Sequence, residues 1–296
     1  MFEAGIKSLL LSAPVASSVK IEALAAVAAA GCQLTVVVDR SELISAYGAA
    51  ARSKGATIDV LIDLDVGLKR SGVADPKLAV ALARSVTQER GLLYAGVQAY
   101  QGRIQHIDDF SQRESANREM ETQLKAFLDL LKKESLAPGI ISGGGTGSHL
   151  LDGKSRLFTE VQAGSYVFMD EGYSSVDIEG SGKSVFGPAL RVAVTVVGHS
   201  SAGFAITDGG SKSFALDGPA PHVYRDGELV GRIEWCGDEF GRVLPGEDQK
   251  TMPIGTVLEC TVPHCDPTIN LHDVIHVVSG DALVEYWAVE ARGRSD

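Results

Sequence analysis

The sequence predicts an α/β unit built on a parallel sheet, followed by a separate all-β domain, and three observations lead there. Up to about residue 170, short β-branched runs alternate with longer helical patterns. From about residue 186 the helical pattern disappears and strands follow one another across tight-turn dipeptides. Between the two textures lies a glycine- and serine-rich stretch, "EGYSSVDIEGSGKSVFGP" (171–188), which reads as a connector or loop. With 296 residues, 45% of them apolar and 22% charged, the chain is long enough for two domains. We expect them at residues 1–178 and 185–296.

The strand candidates of the first part are, in order, "SLLLSAP", "LTVVVD", "IDVLIDLD", "LLYAGVQAY", "GIISGGG" and "TEVQAGSYVFMD". Their near-continuous apolar character suits strands buried on both faces of a parallel sheet. Between them lie helices such as 111–135, where Ser111 and Glu114 form an S-x-x-E capping box. In that helix Met120, Leu124, Phe127, Leu128 and Leu131 make one apolar stripe. In the second part, "ALRVAVTVVGHS", "GFAITDGG", "HVYRDGELVGRIEWC", "GTVLECTVPH" and "VIHVVSGDALVEYWAV" read as strands, with turns at Asp226-Gly227 and Ser279-Gly280-Asp281. A closed parallel barrel needs eight βα units in roughly 250 residues, whereas about six are found here. Either the sheet is open and doubly wound, or the chain enters a barrel design after its first two units.

Composition narrows the function classes. Lys and Arg total 27 against 38 Asp and Glu, a formal charge of −11, which argues against a nucleic-acid partner. All apolar runs are shorter than a membrane span, and the opening "MFEAGIKSLLLSAPV" lacks a signal-peptide pattern, so a cytoplasmic protein is expected. Cys32, Cys236, Cys260 and Cys265 are scattered without a CxxC pair, which fits reduced thiols.

Several clusters bear chemistry. "SGGGTGS" (142–148) follows a strand, so its backbone N–H groups and the Thr146 hydroxyl are placed to cradle a phosphate; a flexible turn is the plainer alternative. "AGSYVFMD" puts Gly164 and Ser165 at the next strand, where they either close the other side of that phosphate or form a tight bend. "LIDLDVGLKRSGV" ends a strand with Asp63 and Asp65 on one face and turns toward Arg70, which pairs with them or faces a ligand oxygen. "AYQGRIQH" leaves Tyr100, Gln101, Arg103, Gln105 and His106 at a strand mouth. "VPHCDPTINLHDVIHVV" (262–278) packs three histidines, one cysteine and two aspartates into one segment, a candidate metal site.

The segments "EAGIKSLLLSAPV", "DLDVGLKRSGV", "GVQAYQGRIQH", "ISGGGTGS", "EVQAGSYVFMD", "HCDPTINLHD" and "WAVEARGRS" span nearly the whole chain. In that order the sequence resembles the D-threonine aldolase and D-serine dehydratase family, pyridoxal-phosphate enzymes of alanine-racemase-like fold. The resemblance implies a β/α TIM-like barrel, here N-terminally incomplete, followed by a C-terminal all-β domain. It implies that Gly145, Thr146, Gly164 and Ser165 hold the cofactor phosphate, that Arg70 approaches the pyridine hydroxyl oxygen, and that Tyr100 and Gln105 line the ring. Arg103 and His149 stand where the family pattern leads us to expect histidine and an aromatic residue. Family members carry a Schiff-base lysine in a motif ahead of the segment resembling "EAGI"; Lys7, Lys20, Lys69 and Lys212 do not match it, so this chain is expected to lack that lysine.

The family's metal ligands are a histidine and the residue two further on, matching His264 and Asp266. In an extended segment these face the same side while Cys265 points away. A strand-end histidine beside an Asp-Pro turn is the alternative, and His272 and His276 read as supporting residues. Imidazole with carboxylate suits Mn²⁺, Mg²⁺ or Zn²⁺, and aspartate in place of the dehydratase branch's cysteine leans toward the aldolase. The expected activity is therefore retro-aldol cleavage of a D-3-hydroxy amino acid to glycine and an aldehyde, by a homodimer dependent on pyridoxal phosphate and a divalent metal. The alternatives are a D-3-hydroxy-amino-acid dehydratase, giving a keto acid and ammonia, and a non-catalytic ligand-binding remnant.

Overall fold

The computed structural model describes residues 1–182, 185–245 and 252–294. The chain divides into two compact units, Met1–Ala163 and Gly164–Asp296.

In the first unit, elements alternate as the sequence predicts: β1 (Ser8–Leu11), α1 (Ser18–Ala29), β2 (Gln33–Val38), α2 (Ser41–Lys54), β3 (Ile58–Asp63), α3 (Pro76–Gln88), β4 (Leu92–Ala99), α4 (Phe110–Lys133), β5 (Ile140–Gly143), α5 (His149–Ser155) and β6 (Glu160–Val161). The six strands pair in parallel and in sequential order. A doubly wound sheet reverses its order at a switch point; an unbroken sequence of neighbours is the arc of a β/α barrel. Val36, Val38, Ile58, Val60 and Ile62 are buried against Ile21, Tyr47, Leu82 and Val86 of the helices. Each such side chain contributes roughly 1.5–3 kcal/mol by leaving water.

Two local expectations are corrected. Helix α4 begins at Phe110, and its N-cap is Asp109, whose carboxylate accepts from the Gln112 amide; the Ser111–Glu114 capping box does not form. A carboxylate at this end also meets the positive pole of the helix dipole, an advantage the Ser111 hydroxyl lacks. The last strand is only Glu160–Val161, because its neighbour β5 is itself four residues long; the rest of "TEVQAGSYVFMD" leaves the sheet, and Ser165–Val167 form a single 3-10 turn.

The second unit contains α6 (Glu171–Ser174), β7 (Val192–His199), β8 (Ala205–Thr207), β9 (His222–Arg225), β10 (Glu228–Trp235), β11 (Gly241–Pro245), β12 (Val257–Cys260), α7 (Cys265–Ile269), β13 (Val274–Ser279) and β14 (Ala282–Ala288). Strands β7 to β12 close into an antiparallel barrel in the order β10-β11-β8-β7-β12-β9. Its interior is filled by alternate residues of each strand, among them Val192, Val194, Val196, Val223, Ile233, Val243, Leu258 and Cys260. Strands β13 and β14 form a hairpin turning at Gly280, which has the left-handed φ of 57° that such a turn requires. The predicted connector is in part helical, as α6; its Lys183 and Ser184, and Ser295 of the closing "WAVEARGRS" segment, lie outside the described residues.

Candidate active site

The C-terminal ends of the parallel strands carry polar residues in lateral register: Asp63 on β3 lies beside Gln98 on β4, and Gln98 beside Ser142 on β5. All three are buried, and they join into one network. The Gln98 side-chain amide donates to Asp63 (2.9 Å) and to the Ser12 carbonyl (3.0 Å); Ser71 donates to the other Asp63 oxygen (2.9 Å). Gln162, just past β6, donates to Gln98 (3.0 Å) and to Ser142 (2.9 Å). Burial pushes the Asp63 carboxyl up, and the hydrogen bonds from Gln98 and Ser71 only partly offset it. Above this floor opens a cavity of about 730 Å³ lined by Ser12, Arg70, Ser71, Tyr100 and Gln162 together with Leu10, Ala13 and Pro14. The Arg70 guanidinium lies over the Tyr100 ring, 5.6 Å from its centroid. Asp65 does not pair with Arg70; it accepts from the Gly67 and Lys69 amides and so shapes the turn that delivers Arg70 to the cavity.

The glycine-rich loop follows β5 and is wholly buried. Gln105 supports it from behind: its carbonyl oxygen accepts from the Gly147 (3.0 Å) and Ser148 (3.2 Å) amides, and its amide donates to the Ser148 hydroxyl (2.8 Å). Ser148 in turn donates to Asp152 (2.6 Å), a buried carboxyl whose pKa burial raises to about 6 against the Ser148 hydrogen bond. The His149 ring nitrogen Nδ1 lies 2.8 Å from the Thr146 carbonyl and serves as its donor. Two amides expected for a phosphate are thus used inside the protein, and Gln105 lies among the loop's supports and outside the cavity lining. An added Cβ on Gly145 would meet the Gln105 side-chain oxygen at 2.5 Å, so a larger residue there would have to displace the Gln105 amide that holds the loop.

In the second unit Gly164 precedes the 3-10 turn that Ser165 opens, and neither belongs to a strand. The segment holding His264 and Asp266 is also not the extended strand expected. His264 retains extended backbone as the N-cap of α7, and Cys265–Ile269 are helical, with Asp266 and Pro267 in the first turn, where proline's missing N–H costs nothing and a carboxylate meets the helix dipole. Strand alternation therefore does not set their geometry. Cys265 is turned into the core at 1% exposure, its thiol pushed up to about 12 by burial, while Asp266 is exposed. The Cys265 amide donates to Asp170 (2.9 Å), which also caps α6 through the Tyr173 amide (2.9 Å), so one carboxylate fastens both short helices. His264 presents Nδ1 to Asp217 at 2.8 Å, and this contact holds the Asp217 carboxyl below the usual carboxylate range.

The donor chemistry fits a divalent ion held by one imidazole and one carboxylate with the remaining positions left to solvent. Among the described residues no cluster of three or more His, Cys, Asp or Glu converges. The barrel cavity fits a pyridine-sized ring: it is large enough, and it presents an arginine and a phenol beside hydrogen-bonding side chains. Among the described residues no lysine lines it. Lys7 packs on Phe2, Lys20 and Lys69 are exposed, and Lys212 pairs with Glu239. Sequence reasoning missed Ser71, Gln98, Ser142, Gln162 and Asp217. For Gln98 and Ser142 a signal existed: single polar residues near the C-terminal ends of otherwise apolar strands. For Asp217 none did, because it reaches His264 across 47 positions of chain.

Among the described residues no helix is long and apolar enough to cross a membrane. The alanine racemase N-terminal domain family matches residues 3–172, and the serine dehydratase domain family residues 189–278. A 3-hydroxy-D-aspartate aldolase of Paracoccus denitrificans is 34% identical over 294 residues, covering 98% of this chain and 75% of its own. A D-threonine aldolase of an Arthrobacter species is 35% identical over 294 residues, covering 99% and 76%. The crystal structure of D-threonine aldolase from Filomicrobium marinum superposes with a TM-score of 0.93 at 34% identity, covering all of this chain and 80% of that one. With barrel arc, strand-end network and β domain all accounted for, the chain belongs to the alanine racemase N-terminal domain family and is related over nearly its full length to D-threonine and 3-hydroxy-D-aspartate aldolases.

Proposed function

We propose that the protein is a lyase dependent on pyridoxal phosphate and a divalent metal, which cleaves the Cα–Cβ bond of D-3-hydroxy amino acids to give glycine and an aldehyde. The observation that supports this most is the likeness to aldolases along nearly the whole chain, through both the cavity-bearing unit and the unit that holds His264 and Asp266. The two matched regions also support a division into a cofactor-binding barrel at 1–178 and a metal-bearing domain at 185–296.

When bound, the cofactor supplies a sink for the electron pair left on Cα and the metal ion supplies the charge that acidifies the β-hydroxyl. Arg70 and Tyr100 are assigned to the ring, and Gly145 and Thr146, with Gly164 and Ser165 by resemblance, to the phosphate. Gln105 serves that assignment by fixing the glycine loop, and Ser12, Ser71 and Gln162 add hydrogen-bonding groups to the cavity wall. His264 contributes a neutral nitrogen and Asp266 a carboxylate, a harder pair than histidine with thiolate, suited to Mn²⁺, Mg²⁺ or Zn²⁺. A dehydratase reading draws on the matched serine dehydratase domain, but the neighbouring thiol, Cys265, is buried and its pKa is raised by that burial. Free cysteines support a cytoplasmic setting, and exposed Val284, Tyr286 and Trp287 on the β13–β14 hairpin support a homodimer.

The test is metal-dependent aldehyde release from D-threonine with added pyridoxal phosphate and Mn²⁺. His264→Ala and Asp266→Ala should each abolish both Mn²⁺-dependent aldehyde release and Mn²⁺ binding; variants that titrate like the parent contradict the assignment.

A further inference from the structure

The segment Ser213–Gly218 runs alongside residues 263–272 and touches them at four successive places. The Ser213 carbonyl lies 3.0 Å from His272 Nε2. The buried Ala215 amide donates to the Thr268 hydroxyl at 3.1 Å. Asp217 accepts from His264 Nδ1 at 2.8 Å. Gly218 lies so close to Pro263 that an added Cβ would stand 2.4 Å from the Pro263 carbonyl oxygen, a spacing only glycine permits. The contacts at Pro263, His264, Thr268 and His272 hold the beginning, middle and end of the segment, and only one of them, at His264, involves a carboxylate.

An ionised carboxylate can only accept, so the 2.8 Å contact makes Nδ1 the protonated nitrogen of His264. The lone pair of the neutral ring is then on Nε2. Histidines that bind metals are commonly oriented in this way, by a carboxylate on the other ring nitrogen that fixes tautomer and ring plane and raises ligand basicity. Asp217 is itself 59% exposed, so its removal leaves no hole in the core.

We propose that Asp217 is a positioning residue for the metal centre, selecting the His264 tautomer whose Nε2 is free to bind a divalent cation, and that Ala215 and Gly218 brace it there. The proposal rests on the assignment of His264 as a ligand. Loss of an outer partner of this kind typically costs about 10- to 100-fold in metal affinity.

The test is titration of the full chain with Mn²⁺ alone, followed by loss of the six-line electron paramagnetic resonance signal of the free ion, with melting by circular dichroism in parallel. Asp217→Ala should weaken binding by about 10- to 100-fold with a parent-like melting curve. Asp217→Asn, whose amide oxygen still accepts from Nδ1 without the charge, should fall between the alanine variant and the parent, and it decides the matter should the alanine variant melt early. Asp217 variants that bind Mn²⁺ like the parent, while His264→Ala does not bind, overturn the positioning role and leave the ligand assignment standing. Parent-like binding by His264→Ala removes the ligand assignment itself, and the role of Asp217 with it.

Discussion

Single residues decide how tightly the glycine-rich loop can be held. Gly147 donates its amide to Gln105 Oε1, and an added Cβ would stand 2.1 Å from the Gln105 backbone oxygen. Backbone on backbone has no flexible end that could yield, so Gly147→Ala should cost about 1–3 kcal/mol of stability. The same substitution should also weaken pyridoxal phosphate binding; an unchanged thermal midpoint together with unchanged absorbance titration would contradict the loop's role. The lysines make a second residue-scale prediction. Since none among the described residues lines the cavity, borohydride reduction in the presence of pyridoxal phosphate should yield no single stoichiometrically labelled lysine by mass spectrometry. One uniquely modified lysine would show that the ring binds elsewhere. The sequence made the cofactor candidates legible as residue types, but not their division of labour: Gln105 reads as a ring-lining residue until its carbonyl is seen to accept two loop amides.

Elements expose where local sequence rules compete. Asp266 and Pro267 lie in the first turn of α7, so the run "HCDP" that reads as extended is helical from Cys265 on, and a buried aspartate from a distant turn, Asp170, ends up holding it. Neither fact is visible in a local window, because the hydrogen bond between them spans 95 positions. The joint between β5 and α5 shows a similar arrangement, with Ser148 relaying between Gln105 and Asp152. Burial raises the Asp152 pKa to about 6, so the folded protein binds this proton more tightly than the unfolded chain, whose carboxyl titrates near 3.8. The stability Asp152 contributes in its neutral form is therefore fully present below about pH 4 and is lost as pH rises through about 6, by up to about 3 kcal/mol. Asp152→Asn should remove this dependence: relative to the parent, its stability should improve between pH 4.5 and pH 8 in denaturant titrations. A pH-independent difference between the two proteins would show that Asp152 ionises as freely as an exposed carboxylate.

At the scale of the whole molecule, patterning alone was informative. Near-continuous apolar runs separated by helices specified the parallel unit, and turn dipeptides between short strands specified the antiparallel one, because both sets of residues fill continuous cores. Strand order could not be read that way: an open doubly wound sheet and a barrel arc share the same βα rhythm, and the unbroken order β1 to β6 distinguishes them. The same limit applies to chemistry, since the polar floor of Asp63, Gln98 and Ser142 exists only once three strands are laid side by side in register. What the molecule does with that floor is best tested by its products. After incubation of the full chain with D-threonine, pyridoxal phosphate and Mn²⁺, the account predicts glycine and acetaldehyde in equal amounts, without a keto acid. Release of 2-oxobutanoate and ammonia would instead identify a dehydratase, and saturable pyridoxal phosphate binding with neither product pair would identify a ligand-binding protein; either result contradicts carbon–carbon cleavage.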